Sequence, residues 1–384
     1  MEKGKIPCAM LRKRFHARRP EAFAPGRSST NIQIAGIPCH SILTWPPHGH
    51  KHADFRSPDQ TPFPRPSSRD RALPGIGRPP DSGPAFYVNT FRLDDPQPWK
   101  IPSALHPIPE PESPTPPAPE ILWTEPSPDA YAQVFAEMIE QIASGHLVKS
   151  VPATPQFGEM QPPHVPRELI LRAVNGSPLH YPYAWWTEQE GFCGATPETL
   201  FHQQGRRLTT MALAGTARPE DEGVFINDDK EIREHEIVAG SILSRLSPYG
   251  SVTRTARSVL NLDTLIHFAT YLTLEADELL PPDHWIRLLH PTPALGSQPR
   301  TEKTLAQLDD WRSRLRCPSH FGAPFGFLED GDFFCLVGIR SMYWQGRRLA
   351  LCTGGGVVAS STLTHEWREL KLKRDTVRRS FLLP

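Results

Sequence analysis

The stretch FGAPFGFLEDGDFFCLVGIRSMYWQGRRLALCTGGG, residues 321–356, decides the fold class. Its apolar and aromatic runs are punctuated by Asp330–Gly331 and Gln345–Gly346, dipeptides that supply the positive φ of tight hairpins. Antiparallel hairpins are therefore expected here. Downstream, GGGVVASSTLTHEWRELKLKRDT (354–376) passes from glycines through small and hydroxyl residues into a helix, with Thr364 expected as its N-cap. Glu366, Glu369 and Lys373 fall at i, i+3 and i+7 and share one face. On its own that is a solvated face with a Glu369–Lys373 surface pair. The chain repeats the spacing in KEIREH, where Glu231 and Glu234 sit on a second helix expected at 230–246.

Upstream, SPDAYAQVFAEMIEQIASG (127–145) places apolar residues at helical spacing between a Ser-Pro start and a terminating glycine. HLVKSVPATPQF, YPYAWW, GFCGATPETLF, RRLTTMALAGTARP, SVTRTARSVLNL and TLIHFATYLTLEA read as strands, with a polar loop before the helix at 230–246. Further helices are expected at 165–174, Asp283–His290 and 301–315. Many strands with interspersed helices predict an α+β fold with a large, mostly antiparallel sheet.

Composition divides the chain near residue 120, because 24 of the 44 prolines precede it. Residues 1–120 are expected to be proline-rich and largely disordered or irregular, with possible short strands at 31–45 and 85–93. Residues 103–120 read as an extended linker, and 121–384 as the folded body. The pattern of 1–83 predicts that its removal leaves a soluble protein, with Asn31–Trp45 the part most able to spoil this by supplying a strand.

Zero net charge and a near-neutral pI point to no nucleic-acid or membrane partner. No apolar run is long enough for a transmembrane helix. The six cysteines show neither CxxC nor metal-ligand spacing, so free thiols in a reducing cytoplasm are expected. The first twenty residues are basic but lead into no apolar segment, so they read as a disordered tail or a wrongly chosen start, with a transit peptide as the alternative. No feature sets an oligomeric state; a monomer is the simplest expectation.

The ordered set of GATPE (194–198), LAGTAR (213–218), KEIREHE (230–236), IHFAT (266–270), HPTPALG (290–296), GIRS (338–341), GGGVVASS (354–361) and EWRELKLK (366–373), after the strand lysine Lys149, resembles the chorismate-utilising enzymes over roughly residues 125–380. That family includes isochorismate synthase, salicylate synthase, anthranilate synthase component I and aminodeoxychorismate synthase. LHPTPALGSQPR (289–300) is most similar to the isochorismate synthases. Lys149 is similar to members that use water, though aminodeoxychorismate synthases share a lysine there.

The resemblance implies two stacked sheets flanked by helices, with chorismate and Mg²⁺ in a cleft, and a product destined for menaquinone or a siderophore. Exchanging a ring hydroxyl for one from water needs a base, an acid and a cation on the carboxylate. Lys149 is expected as the base, its pKa lowered by burial or nearby positive charge, and Glu198 as the acid. Glu234 and Glu369 are expected as direct Mg²⁺ ligands, with Glu231 and Glu366 in outer positions. Arg340 and Lys373 would hold the other carboxylate, and Gly215, Thr216, His267, Gly354 and Gly356 would line the pocket. Many relatives carry tyrosine where Phe321 stands and glycine where Ala323 stands. A salicylate synthase, an amine-forming relative and a chorismate-binding protein without turnover are the alternatives.

Overall fold

The computed structural model describes residues 8–12, 32–35, 79–80, 82–103, 105–106, 118–176, 179–187, 189–262 and 264–383. Two nine-stranded antiparallel sheets form the body. The first runs Leu105–His106, Ile32–Ala35, Cys8–Arg12, Tyr181–Trp186, Glu190–Thr196, Ser341–Gln345, Arg348–Gly354, Ala153–Met160, Ile121–Trp123. The second runs Gly250–Arg254, Ile266–Ala276, Arg207–Ala217, Thr199–Gln204, Asp332–Val337, Pro324–Glu329, Ala85–Val88, Trp99–Lys100. Ser258–Asn261 also pairs with Ile266–Ala276. Both expected hairpins form: Glu329 faces Asp332 across Asp330–Gly331, whose φ values are both positive, and Gln345 faces Arg348.

Seven α-helices occur among the described residues: α1 (Asp129–Ala143), α2 (Pro166–Asn175), α3 (Glu222–Phe225), α4 (Asp229–Leu246), α5 (Pro282–Leu289), α6 (Glu302–Arg314) and α7 (Leu363–Ser380). None is long and apolar enough to cross a membrane. Period-two alternation explains the layers. Phe325, Phe327, Phe334 and Leu336 of the second sheet meet Tyr183, Phe192 and Tyr343 of the first in the core between the sheets. Their neighbours Phe333, Cys335 and Val337 share a different core with Val238, Ile242, Trp285 and Leu289 of α4 and α5. On the first sheet, Cys193, Met342 and Leu351 pack with Leu169 of α2 and Val377 of α7.

Three local expectations change. SVTRTARSVLNL is two strands rather than one. The hydroxyl of Thr255 accepts the Tyr271 N–H at 3.0 Å, so a side chain takes over the ladder and interrupts the pairing. HLVKSVPATPQF breaks after Ser150, next to Pro152, which has no N–H to give to a ladder. The N-cap of α7 is Thr362, which accepts the His365 N–H at 3.4 Å, not Thr364, which lies inside the first turn.

In the proline-rich region, Cys8–Arg12 and Ile32–Ala35 are strands, as is Ala85–Val88. The remainder of 1–78, including the rest of Asn31–Trp45, lies outside the described residues, as does 107–117 of the linker. Cys8–Arg12 lies against Tyr181–Trp186, with Met10 opposite Ala184. Deleting residues 1–35 should therefore leave Tyr181–Trp186 as an open sheet edge, and the shortened chain should self-associate. Size-exclusion chromatography at two protein concentrations checks this. An unchanged, concentration-independent elution volume relative to the truncated mass would show that the edge needs no cover.

Candidate active site

Two of the chain's passages between the sheets lie side by side. Thr196 ends a strand of the first sheet and Thr199 begins one of the second, so Pro197–Glu198 spans the gap. Val337 ends a strand of the second and Ser341 begins one of the first, so Gly338–Arg340 returns across it. The crossings are joined by Val337 N to Glu198 O at 3.1 Å and Ala195 N to Arg340 O at 3.2 Å. Arg340 is held at φ 56°, in the left-handed region, a conformation costing a non-glycine residue about 1–3 kcal/mol.

A cavity opens at this seam, lined by Glu198, Arg340 and the apolar side chains of Leu213, Leu295, Phe321 and Ile339. Burial pushes the Glu198 carboxyl up to about 8, against the opposing pull of Lys149 and Arg340. The Arg340 guanidinium is pushed down to about 10 by burial, which Glu198 partly offsets. Glu198 is thus a carboxylic acid that keeps its proton near neutral pH.

His267 and the glycine-bearing loop enter from the strands of the second sheet. Between Ala214 and Ala217 the register with Ile266–Ala276 slips, and Gly215 takes φ +76° at the bulge. That turns the Thr216 N–H toward Glu231 Oε2, 2.9 Å away, and the Gly215 carbonyl toward His267 Nδ1 at 2.8 Å. With Nδ1–H so engaged, His267 Nε2 accepts from Arg340 Nη2 at 3.3 Å. Burial and Arg340 push the imidazole down to about 3, so it is neutral. It holds the guanidinium.

Lys149 sits on the short ribbon where Lys149–Ser150 pairs with Val357–Val358. Gln298, from the HPTPALGSQPR stretch, clamps it from the other side, its N–H donating to the Lys149 carbonyl at 2.8 Å. The lysine is fully buried, and Nζ donates to Glu234 Oε1 at 2.7 Å. The burial was expected; the neighbouring charge has the opposite sign to the one the sequence reading called for. Gly356 permits this approach, because a Cβ there would lie 2.7 Å from both Lys149 Cε and Glu234 Oε1.

The four glutamates converge from α4 and α7. Burial and the Glu234 carboxylate raise Glu231, and burial and Glu369 raise Glu366. Burial opposes the Glu369 charge, but Lys373, 2.6 Å away, outweighs it and holds that carboxyl low. This pair is no surface bridge, since both side chains are less than one-fifth exposed. Lys373 also donates to the Gly354 carbonyl at 3.1 Å. Glu366 is fully buried, and neither of its oxygens has a hydrogen bond of good geometry. Crowded carboxylates suit a hard cation that prefers oxygen ligands.

The cavity thus collects Glu198, Gly215, Thr216, Glu234, His267 and Arg340, together with Gly354, Gly356, Glu369 and Lys373. Lys149, Glu231 and Glu366 are not in its lining but touch or adjoin residues that are. Sequence reasoning passed over Lys230, whose Nζ stands 3.5 Å from Glu231 and 3.9 Å from Glu366. The signal was available: a lysine in the first turn of a helix opposes the macrodipole and needs a local reason.

A family model described as "Chorismate binding enzyme" matches residues 99–381. The chain is 28% identical over 223 residues to isochorismate synthase EntC of Escherichia coli, covering 54% of this chain and 56% of that one. It is 32% identical over 212 residues to isochorismate synthase MenF of Bacillus subtilis, covering 50% and 43%. It therefore spans about half the length of these relatives. The fold is similar to that of MenF, the menaquinone-specific isochorismate synthase from Escherichia coli, with a TM-score of 0.63 and 19% identity over 78% of each chain.

Proposed function

The chain belongs to the family of chorismate-binding enzymes, and from that premise we propose that it converts chorismate to isochorismate. The observation that carries the proposal is a buried lysine next to a cavity that holds a protonated glutamic acid. Apolar walls suit the ring, and Arg340 and Lys373 are the cavity's cations for a carboxylate; the planar guanidinium fits such a group in a fork. In the proposed reaction Lys149 Nζ takes a proton from the attacking water. Glu198 gives its proton to the departing hydroxyl, and a donor with a pKa of about 8 is matched to that task near neutral pH. To act so, Nζ must be a neutral amine, free of Glu234 Oε1, to which it donates at 2.7 Å.

Carboxylate oxygens are the donor type that Mg²⁺ prefers. Glu234 and Glu369 would hold it directly, with Glu231 and Glu366 outside them through water. The chemistry supplied by the bound ion would be to anchor and polarise a substrate carboxylate while offsetting the glutamate charges.

One assay tests the reading: purified protein with chorismate, Mg²⁺ and ¹⁸O-labelled water, products separated by chromatography, with and without ammonia. Isochorismate carrying the label is expected, with no aminated product. Salicylate would add pyruvate elimination to the activity, an aminated product would move the chain to the amine-forming branch, and binding without turnover would make it a chorismate-binding protein.

A further inference from the structure

Two sulfur atoms meet at the cavity wall, in a place the proposed chemistry does not use. Cys317, half-buried, follows α6, and Cys352, fully buried, lies on the strand Arg348–Gly354. Their Sγ atoms are 3.6 Å apart, and Cys352 lines the cavity. Cys193 and Cys335, the other cysteines whose side chains are described, are buried, and burial raises their thiols well above the ordinary range. Such thiols stay protonated and inert. Cys317 is different. Burial alone would raise it, but the hydrogen bond from Cys352 and the guanidinium of Arg312 outweigh burial and hold it below the ordinary range. Cys352 is pushed up, by burial and by Cys317 itself. One sulfur is therefore the nucleophile and the other is placed to resolve it.

We infer that Cys317 and Cys352 are a peroxide-responsive dithiol, a modification site that closes reversibly to a disulfide at the wall of the cavity. The Cys317 thiolate attacks one oxygen of hydrogen peroxide, forming an S–O bond as the O–O bond breaks and hydroxide leaves. The Cys352 sulfur then attacks Cys317 Sγ. The S–S bond forms, the S–O bond breaks, and the departing hydroxide takes the Cys352 proton as water. Two thiols are oxidised, one peroxide is reduced, and two waters result. The sulfurs must close from 3.6 Å to about 2.05 Å. Cys352 is two residues before Gly354, whose carbonyl accepts Lys373 Nζ, so closure draws on the strand end that carries part of the site.

The test treats the reduced full chain with a small excess of hydrogen peroxide, followed by non-reducing peptide mapping. The expected result is a linked peptide pair joining Cys317 to Cys352, lighter by the two thiol hydrogens and restored by dithiothreitol. Cys352→Ser should stop at a sulfenic acid on Cys317 that dimedone captures, and Cys317→Ser should leave Cys352 a free thiol. Two free thiols after treatment, a linkage confined to Cys8 or Cys39, or a Cys317→Ser chain whose Cys352 oxidises as fast as in the parent would each overturn the inference. None of these readouts needs turnover, so they stand apart from the proposed activity.

Discussion

Glu198→Gln is expected to lower kcat for chorismate by ~10²-fold or more while substrate affinity changes little. The amide keeps the size and hydrogen-bonding capacity of the acid, so only the proton is lost. The pH dependence makes the assignment specific. Burial raises the folded-state pKa to about 8 from the ordinary carboxyl value of 4.5, so the donor is protonated at pH 6 and loses its proton as pH rises through about 8. Turnover of the parent chain should fall across that range. Stability is linked to the same group with a definite sign: a raised pKa contributes stability that is complete below the unfolded value and lost as pH rises through about 8. Glu198→Gln should therefore gain thermal midpoint relative to the parent between pH 6 and pH 9. Lys149→Ala should show a comparable loss of kcat. Near-parental kcat in Glu198→Gln would remove the acid from this position.

Excess chelator should abolish turnover, and Mg²⁺ should restore it. Glu369→Gln and Glu234→Gln should lose the response with the fold intact. A readout without substrate separates binding from catalysis. An ion that binds only the folded chain stabilises it by about 2.7 kcal/mol at a hundred times its Kd. Mg²⁺ should thus raise the thermal midpoint of the parent chain and not that of either variant. Full turnover in chelator, with no thermal response to Mg²⁺, would eliminate the four-carboxylate site.

The parts of this molecule that were legible in the sequence are those governed by local rules. The Asp330–Gly331 hairpin follows from positive φ at both turn residues, and α1 from the burial of Tyr131, Val134, Phe135 and Met138 along one face. The glutamate pairs were legible as spacing, and their convergence rested on motif order. What stayed hidden depends on where one strand is aimed relative to another. Period two is the same whether a strand stays in its sheet or bends into the next, so nothing in GATPETLF shows that Glu198 sits at a crossing. The Lys149–Glu234 contact joins residues 85 apart, beyond any local signal. At the start of α7 the run Thr-Leu-Thr offers two threonines as caps, and Thr362 takes the place.

The paired crossings also bear on how such a chain can be altered. Loops at a surface can be exchanged between homologues because little else depends on them. Glu198 and Arg340 instead occupy two neighbouring stitches between the sheets, and each stitch is hydrogen-bonded to the other. A chimera that takes one sheet from a relative and keeps the other must cut through both, so recombination at this point would lose the acid and its guanidinium before it lost either sheet. The acid and its guanidinium are inherited together, with the crossings that carry them.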